Sequence, residues 1–515
     1  MQIVICLVLA ILLVIVAIRN INIIQLQSYS LGFFGAEMNY QIGLYLAVLI
    51  GEILCMVFSL LHINFWYLML IAFCVPILLY VIFDLIKKSK TPLVVTARIM
   101  RYFVLFTILT LALFGGIYYL SLCVNISIFY FVWINLLLSP LMVRFAFLLI
   151  LPLEKHIQNK YFDKAVKKLD ECKNLVKIGI TGSYGKTSVK NIMATILSES
   201  YNVVKSPFSY NTPMGLAKSV NDITDDTQIF IMEIGARKVG DVAKIAKALK
   251  PQVGVITGIA AQHLQTFGSI EDVMRGKYEL IESLDNNGLA VFNGENARVK
   301  NMYDRCNLPR KVLTNFDSGN ICVENLITTT DGTSFDLKIG ESVRNCRTKL
   351  IGRHNIENIL LAVTVAVGLG MDIDSISYGI EKLDFTPHRL EIIKSNGITI
   401  IDDSYNSNEV GAKVALDTLS MFDSRKVVLC QGIVEGGEKE EEINYNLGIK
   451  ISSVADIAIL VGKLGEKIHK GLIDSGYNPT RIISYKNLRD AQTAFKDTLR
   501  AGDVLLLLND LPDNY

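Results

Sequence analysis

The distribution of apolar and polar positions divides the chain near residue 153. Before that point lie five almost unbroken apolar runs: Gln2 to Ile18, Ile42 to Leu61, Phe65 to Ile86, Phe103 to Val124 and Ile126 to Leu153. A helix rises ~1.5 Å per residue and a hydrocarbon core is ~30 Å thick, so each run is long enough, or nearly so, to span it. The pattern predicts an all-α transmembrane domain over residues 1–154. Segment 155–173 then sets Lys and Asp among Ile157, Phe162, Ala165 and Leu169, the pattern of an amphipathic linker helix along a membrane surface.

From Val176 onward, short apolar runs alternate with helical periodicity, which predicts the α/β class. Strands are expected at Val176 to Ile180, Ile229 to Met232 and Val253 to Thr257, in a central domain over 174–385 that includes a β-rich stretch at 311–350. Further strands at Ile398 to Ile401, Lys426 to Cys430, Ala458 to Val461 and Val504 to Leu507 alternate with helices at Gly411 to Met421, Lys463 to Ser475 and Leu488 to Leu499. These predict a second, doubly wound α/β domain over 386–515.

Charge sharpens the division. Of 100 charged side chains, ten lie in residues 1–152, seven basic and three acidic. Lys87, Lys88, Lys90, Arg98 and Arg101 fall between the third and fourth runs, and Lys155, Lys160, Lys164, Lys167 and Lys168 follow the fifth. The positive-inside rule puts both groups in the cytoplasm, so the expectation is a multi-pass protein of the cytoplasmic membrane with its N-terminus outside and its catalytic domains cytoplasmic. The first run has no small-residue cleavage site and is read as an uncleaved anchor rather than a signal peptide. Glu52, Asp84 and Arg144 fall at membrane depth, where Glu52 and Arg144 either pair or meet a substrate headgroup. Neither half is a polycation, so no nucleic-acid partner is expected. Nine cysteines without a CxxC pair indicate neither a zinc ribbon nor a disulfide framework.

The candidate chemistry begins after the first predicted strand, at Thr181-Gly182-Ser183-Tyr184-Gly185-Lys186-Thr187-Ser188, which leads into a helical pattern. Strand, glycine loop, Lys-Thr and helix form a phosphate cradle: backbone N–H groups wrap the phosphates, the ammonium reaches the terminal ones, and the hydroxyl ligates Mg²⁺. A strict P-loop spacing would need glycine at 180, where Ile180 stands. Further on, Glu233 and His263 fall at the ends of predicted parallel strands, where open α/β sheets bind ligands.

Thr-Gly-Ser-Tyr-Gly-Lys-Thr and the motifs that follow it, in order over residues 174–515, resemble the Mur ligase family. The resemblance implies ATP as substrate and two Mg²⁺ ions, one held by Thr187 and Glu233 and the other by His263. It implies nucleotide binding by Gly182, Ser183, Gly185, Lys186, Thr187 and Ser188. It places Lys277, in Arg-Gly-Lys-Tyr-Glu-Leu, where many members carry a carbamylated lysine; an ammonium paired with phosphate or Glu279 is the other reading. In Gly352-Arg353-His354-Asn355-Ile356-Glu357-Asn358 it assigns Asn358 to adenine, while the residue type alone also suits a helix cap. It assigns Arg389 to the γ-phosphate and Asp403 to the ribose. Lys186, His263, Lys277 and Arg389 are the expected catalytic set. Asn211, Thr212, His354, Ser404, Tyr405 and Asn406 are expected near the other substrates. Within the family, Asp-Asp-Ser-Tyr-Asn at 402–406 and the loop at 209–215 look most like the branch that adds D-alanyl-D-alanine to a muramyl peptide.

The chain also departs from that branch. Five apolar runs stand where the branch has a soluble uridine diphosphate-binding domain, Thr212 replaces an asparagine, Arg237 stands where asparagine is usual, and the ending Leu508 to Tyr515 lacks the usual Lys-Gly-Ser. The expectation is an ATP-dependent amide ligase working through an acyl phosphate. Its expected partners are a lipid bilayer, a lipid-linked saccharide or peptide precursor bearing the carboxylate, and an amino acid or short peptide bearing the amine. Alternatives are a muramyl-tripeptide D-alanyl-D-alanine ligase, a membrane-bound poly-amino-acid synthase, and a membrane ATPase without ligase activity.

Overall fold

A computed structural model describes residues 18, 21–22, 24–25, 93–124, 128–260, 264–405, 408–434 and 439–510. These fall in two compact units, one before residue 160 and one over Lys160–Leu511.

The first unit contains α1 (Ala97–Val124) and the start of α2 (Ile128–Glu171). Ile99, Tyr102 and Phe106 of α1 pack against Val143, Ala146, Phe147 and Ile150 of α2. The Glu154 carboxylate, 3% exposed, accepts from Arg101 Nε at 2.6 Å, with Arg98 Nε at 3.8 Å. Burial of a lone carboxylate is costly, and the paired guanidinium offsets that cost. Opposite this seam, Val104, Ile108, Leu111 and Leu122 of α1 and Leu141, Phe145 and Leu149 of α2 are exposed.

Among the described residues, one helix, over Ala97–Gly116, is long and apolar enough to cross a membrane. The runs at 42–61 and 65–86 lie outside the described residues, as do Gln2 to Ala17 and the charges Glu52 and Asp84. The fifth run and the amphipathic segment are one unbroken helix, α2. The apolar stripe of that segment is buried in protein rather than laid on a surface. Phe162, Ala165 and Leu169 pack with Leu216, Ala217, Val220 and Ile223. Lys168 Nζ donates to the carbonyls of Val220, Asn221 and Ile223 at 3.0, 3.3 and 2.7 Å, filling the acceptors left at a helix end.

The second unit is built on two six-stranded sheets. The first has the order β2-β3-β1-β4-β5-β6, all parallel, from β1 (Val176–Thr181), β2 (Val203–Lys205), β3 (Ile229–Glu233), β4 (Val253–Ile256), β5 (Leu289–Asn293) and β6 (Lys311–Thr314). Strands β1, β3, β4 and β5 are apolar nearly throughout because helices cover both faces. One face carries α3 (Lys186–Leu197) and, after the antiparallel sheet β7 (Ile321–Thr329), β8 (Gly332–Ile339) and β9 (Ser342–Thr348), α9 (Arg353–Gly368) and α10 (Ile373–Glu381). The other face carries α4 (Pro213–Ser219), α5 (Asp241–Leu249), the short α6 (Leu264–Phe267), α7 (Ile270–Glu282) and α8 (Ala297–Asp304).

The second sheet has the order β10-β11-β15-β12-β13-β14, from β10 (Glu391–Ser395), β11 (Ile398–Tyr405), β12 (Lys426–Cys430), β13 (Ile457–Val461), β14 (Ile482–Tyr485) and β15 (Val504–Asp510). Only β10 runs antiparallel. Helices α11 (Glu409–Ser420), α12 (Glu440–Ser452) and α13 (Gly465–Asp474) supply the crossovers. The expected α/β class with two parallel sheets holds.

Candidate active site

Strand β1 sits where the first sheet reverses its winding, so the C-terminal ends of β1, β3 and β4 frame a crevice. The loop Gly182–Gly185 leaves β1 there. Gly185, at φ +79°, caps α3 in a left-handed conformation that a side chain would strain. Ser183 N donates to Gly258 O at 2.7 Å, and Thr257 Oγ1 donates to the carbonyl of Tyr184. Tyr184 lies so close over Gly258 that a Cβ there would stand 2.4 Å from its ring. The loop is thus pinned to the end of β4. Lys186 Nζ donates to Gly182 O at 2.8 Å, and Ser188 follows within the first turn of α3.

At the second position of α3, Thr187 Oγ1 donates to Glu233 Oε2 at 2.8 Å, and one turn in, Lys190 Nζ approaches the same oxygen at 3.4 Å. Asn211 Nδ2 donates to Glu233 Oε1 at 3.2 Å. Glu233 and Lys190 are each 1% exposed. Burial pushes the Glu233 carboxyl upward, but the ammonium groups of Lys186 and Lys190, with the hydrogen bonds from Thr187 and Asn211, outweigh it and hold the group below its usual range. Burial lowers Lys186 and Lys190, and Glu233 opposes that shift in both. An ionised carboxylate beside a hydroxyl is a hard-oxygen donor pair that fits Mg²⁺. His263, expected to hold a second ion, lies outside the described residues, as does Asn406.

Lys277 points inward from α7, 3% exposed, with its Nζ 5.8 Å from the centre of the Phe267 ring. Burial, then repulsion by Lys186, lowers its pKa to about 7 against the pull of Asp241, Glu233 and Glu279. The alternative of a Lys277–Glu279 pair is overturned. Glu279 accepts from Gly240 N at 2.6 Å and Ala243 N at 2.9 Å, capping the start of α5.

Asn358 does not cap α9, whose cap position is Gly352. Its Oδ1 instead faces the phosphate loop, 3.3 Å from where a Cβ on Gly185 would lie. His354, on the first turn of α9, is pushed down to about 4 by burial and is neutral at pH 7.

The second sheet contributes Arg389, whose guanidinium stacks on the Tyr405 ring at 4.6 Å. Burial lowers it, while Asp403, Tyr405 and Glu233 oppose the shift; Lys186 in turn feels Arg389. Two cations from different sheets therefore converge near Glu233. Asp403 Oδ1 accepts from Leu390 N at 3.3 Å, and Ser404 N donates to Asp402 Oδ1 at 3.0 Å. Tyr405 and Ser209 hydroxyls meet at 2.6 Å, joining the loop after β2 to the second sheet. Thr212 is occupied as the cap of α4, accepting from Gly215 N at 3.2 Å.

Sequence reasoning missed Lys190, Ser206 and Phe208. Ser206 Oγ accepts from Glu233 N at 3.2 Å, and Lys190 donates to the carbonyl of Phe208. Phe208 holds a left-handed backbone, φ +44°, with its ring 81% exposed. A cation one turn beyond the Lys-Thr pair, on a face otherwise apolar, was the available signal for Lys190.

Family profiles match at residues 180–366, the Mur ligase middle domain, and 388–509, the Mur ligase glutamate ligase domain. The chain is 27% identical over 333 residues to the UDP-N-acetylmuramoyl-tripeptide D-alanyl-D-alanine ligase of Bacillus subtilis (strain 168), covering 64% of this chain and 72% of that protein. It is 29% identical over 296 residues to the enzyme of the same name from Escherichia coli (strain K12), covering 56% and 65%. Among solved structures, MurF from Acinetobacter baumannii superposes with a TM-score of 0.63 at 21% identity, over 68% of this chain and 77% of that one. MurF from Thermotoga maritima in complex with ADP gives 0.60 at 22%, over 68% and 80%.

Proposed function

We propose, from the premise that this chain belongs to the Mur ligase family, that it joins the amine of an amino acid or short peptide to a carboxylate of a cell-envelope precursor at the cytoplasmic membrane face. Members of the family are ATP-dependent, ADP-forming amide ligases. ATP is the energy source and Mg²⁺ the ion. The observation that carries the reading is the buried group at the end of β3, where Thr187, Lys190 and Asn211 converge on Glu233 beside Lys186.

The phosphate loop would hold the nucleotide phosphates on its backbone N–H groups, with Asn358 turned toward the same loop. Lys186 and Arg389 approach from opposite sheets and would neutralise the terminal phosphoryl group as the carboxylate oxygen attacks it. Mg²⁺ held by Thr187 and Glu233 would screen the negative charge of the phosphates. The P–O bond to ADP breaks as the new P–O bond forms, giving an acyl phosphate. The amine then attacks the acyl carbon, phosphate leaves with its electron pair, and the proton is lost from nitrogen. The Ser209–Tyr405 contact would close the crevice against water, which otherwise hydrolyses the intermediate.

The precursor is taken to be lipid-linked. The apolar first 152 residues and the band of exposed large side chains on α1 and α2 support a membrane setting, in which a donor confined to two dimensions meets its enzyme. Phosphate release by the full chain in lipid vesicles, with ATP, an amine and either a lipid-linked or a soluble uridine diphosphate-linked peptide donor, is the test. Full rate with the soluble donor overturns the tethered-donor reading. The second reading, addition of D-alanyl-D-alanine to a soluble UDP-muramyl tripeptide, is favoured by the names of the relatives.

A further inference from the structure

Helices α7 and α8 follow the parallel strands β4 and β5 and lie on the same face of the first sheet, so both begin at the edge where the phosphate loop stands. Between them runs a groove of about 730 Å³. That is the size of a small-ligand site. The start of α8 is tied to the loop, for its cap Asn296 donates to the Tyr184 hydroxyl at 2.9 Å.

The groove has a cationic rim. Arg298 of α8 and Arg305, the residue that caps its C-terminal end seven positions on, line it together with Arg275 of α7. Seven residues are two helical turns, about 10 Å along one face. Asp272 answers Arg275 at 2.8 Å, and Glu271 is the other acid in the lining. Among the described residues, Arg298 and Arg305 make no hydrogen bond or ion pair, so three cations stand against two acids. Guanidinium groups bind phosphate through paired hydrogen bonds. The groove also has an apolar wall, formed by Met274 and Met302 with the Tyr278 ring. Methionine adapts to flexible apolar chains. Tyr278 lines this groove while its neighbour Lys277, about 100° round the helix, is buried in the protein.

We propose that this groove binds the phosphate or diphosphate ester of an apolar chain, holding the donor by its anionic link while its carboxylate reaches the crevice. The inference rests on the tethered-donor reading above and adds the place where the tether is read. Phosphate chemistry is common to a lipid-linked donor and a nucleotide-linked one, and the wall of Met274, Met302 and Tyr278 favours the lipid.

The experiment is calorimetric titration of the full-length protein in detergent micelles with farnesyl diphosphate, inorganic pyrophosphate and UDP-N-acetylglucosamine, each against a protein-free micelle blank. Farnesyl diphosphate is expected to bind at least tenfold tighter than the other two. Arg298→Gln combined with Arg305→Gln is expected to weaken it at least tenfold. Met274→Gln is expected to weaken farnesyl diphosphate but leave pyrophosphate unchanged. Lys186→Ala should lose ATP turnover yet keep the groove affinity, which separates this site from the crevice. Unchanged affinity in the double arginine variant, or preference for the UDP-sugar, overturns the proposal. Phosphate release by the unaltered protein without any carboxylate donor would overturn the ligase reading while leaving the binding result to stand.

Discussion

The Lys190 ammonium and the Glu233 carboxylate lie 3.4 Å apart with almost no solvent contact, and the same ammonium holds the backbone of Phe208. A buried charge left alone is strongly destabilising, on the order of 3–5 kcal/mol. Lys190→Met removes the cation nearest the Glu233 carboxylate and leaves it to Lys186 and Arg389. The variant is expected to unfold several degrees lower and to lose at least tenfold in kcat, read by calorimetry and by phosphate release.

Lys186→Ala removes the loop's ammonium without removing its backbone cradle. Turnover is expected to vanish, while the protein folds with an unchanged circular dichroism spectrum. Residual phosphate release above a few per cent would contradict the placement of Lys186 at the terminal phosphate.

Lys277, with a pKa of about 7, is largely an amine above neutrality and an ammonium below it. Carbon dioxide adds only to the amine, giving a carbamate and a proton, so activity is expected to rise through pH 7 and to increase with added bicarbonate. Lys277→Ala should lose activity and regain part of it with millimolar acetate or formate if the carbamate is formed. A bicarbonate-independent pH profile, with no rescue, would leave the lysine as an amine.

Glu357 is pushed up to about 7 by burial and by Glu295, with Arg353 opposing at 3.6 Å. Its folded pKa lies above its unfolded value, so the folded state holds the extra proton between roughly pH 4.5 and 7. Stability is therefore lost as pH rises through that window. Glu357→Gln is expected to stabilise the fold at pH 8, by on the order of 3 kcal/mol at most, and to change little at pH 4. Thermal unfolding at the two pH values decides it.

Lys168 donates to three carbonyls at the end of the helical turn after α4. Lys168→Met keeps the stem and deletes the donors, and is expected to cost about 1–3 kcal/mol. Faster hydrogen exchange at residues 160–171 and 220–223 is the readout.

Much of the second unit was legible because its signals are local. The phosphate loop needs glycine, lysine and threonine next to one another, and β1, β3 and β4 are covered on both faces and so read as mainly apolar runs. Pairings distant along the chain were not legible. Nothing adjacent to Glu279 says that it will cap α5, 36 and 39 residues away, which is why a pair with Lys277 stood among the alternative readings. The stripe of Phe162, Ala165 and Leu169 was correctly read as apolar but assigned to the wrong neighbour, because periodicity reports that a face is buried and not what covers it. Lys190 gave a signal without its meaning: a lysine amid apolar positions reads as a surface residue until its carboxylate partner, Glu233 at the end of β3, is known.

The contact between Tyr184 and the bare backbone at Gly258 binds the histories of two positions that are 74 residues apart. A methyl group at 258 would meet the tip of the Tyr184 ring, so the ring must swing aside before one can be accommodated. Trimming the ring first would release the Asn296 amide that it holds. The two sites are therefore coupled, and a laboratory library that varies them together would sample pairs that single changes disfavour.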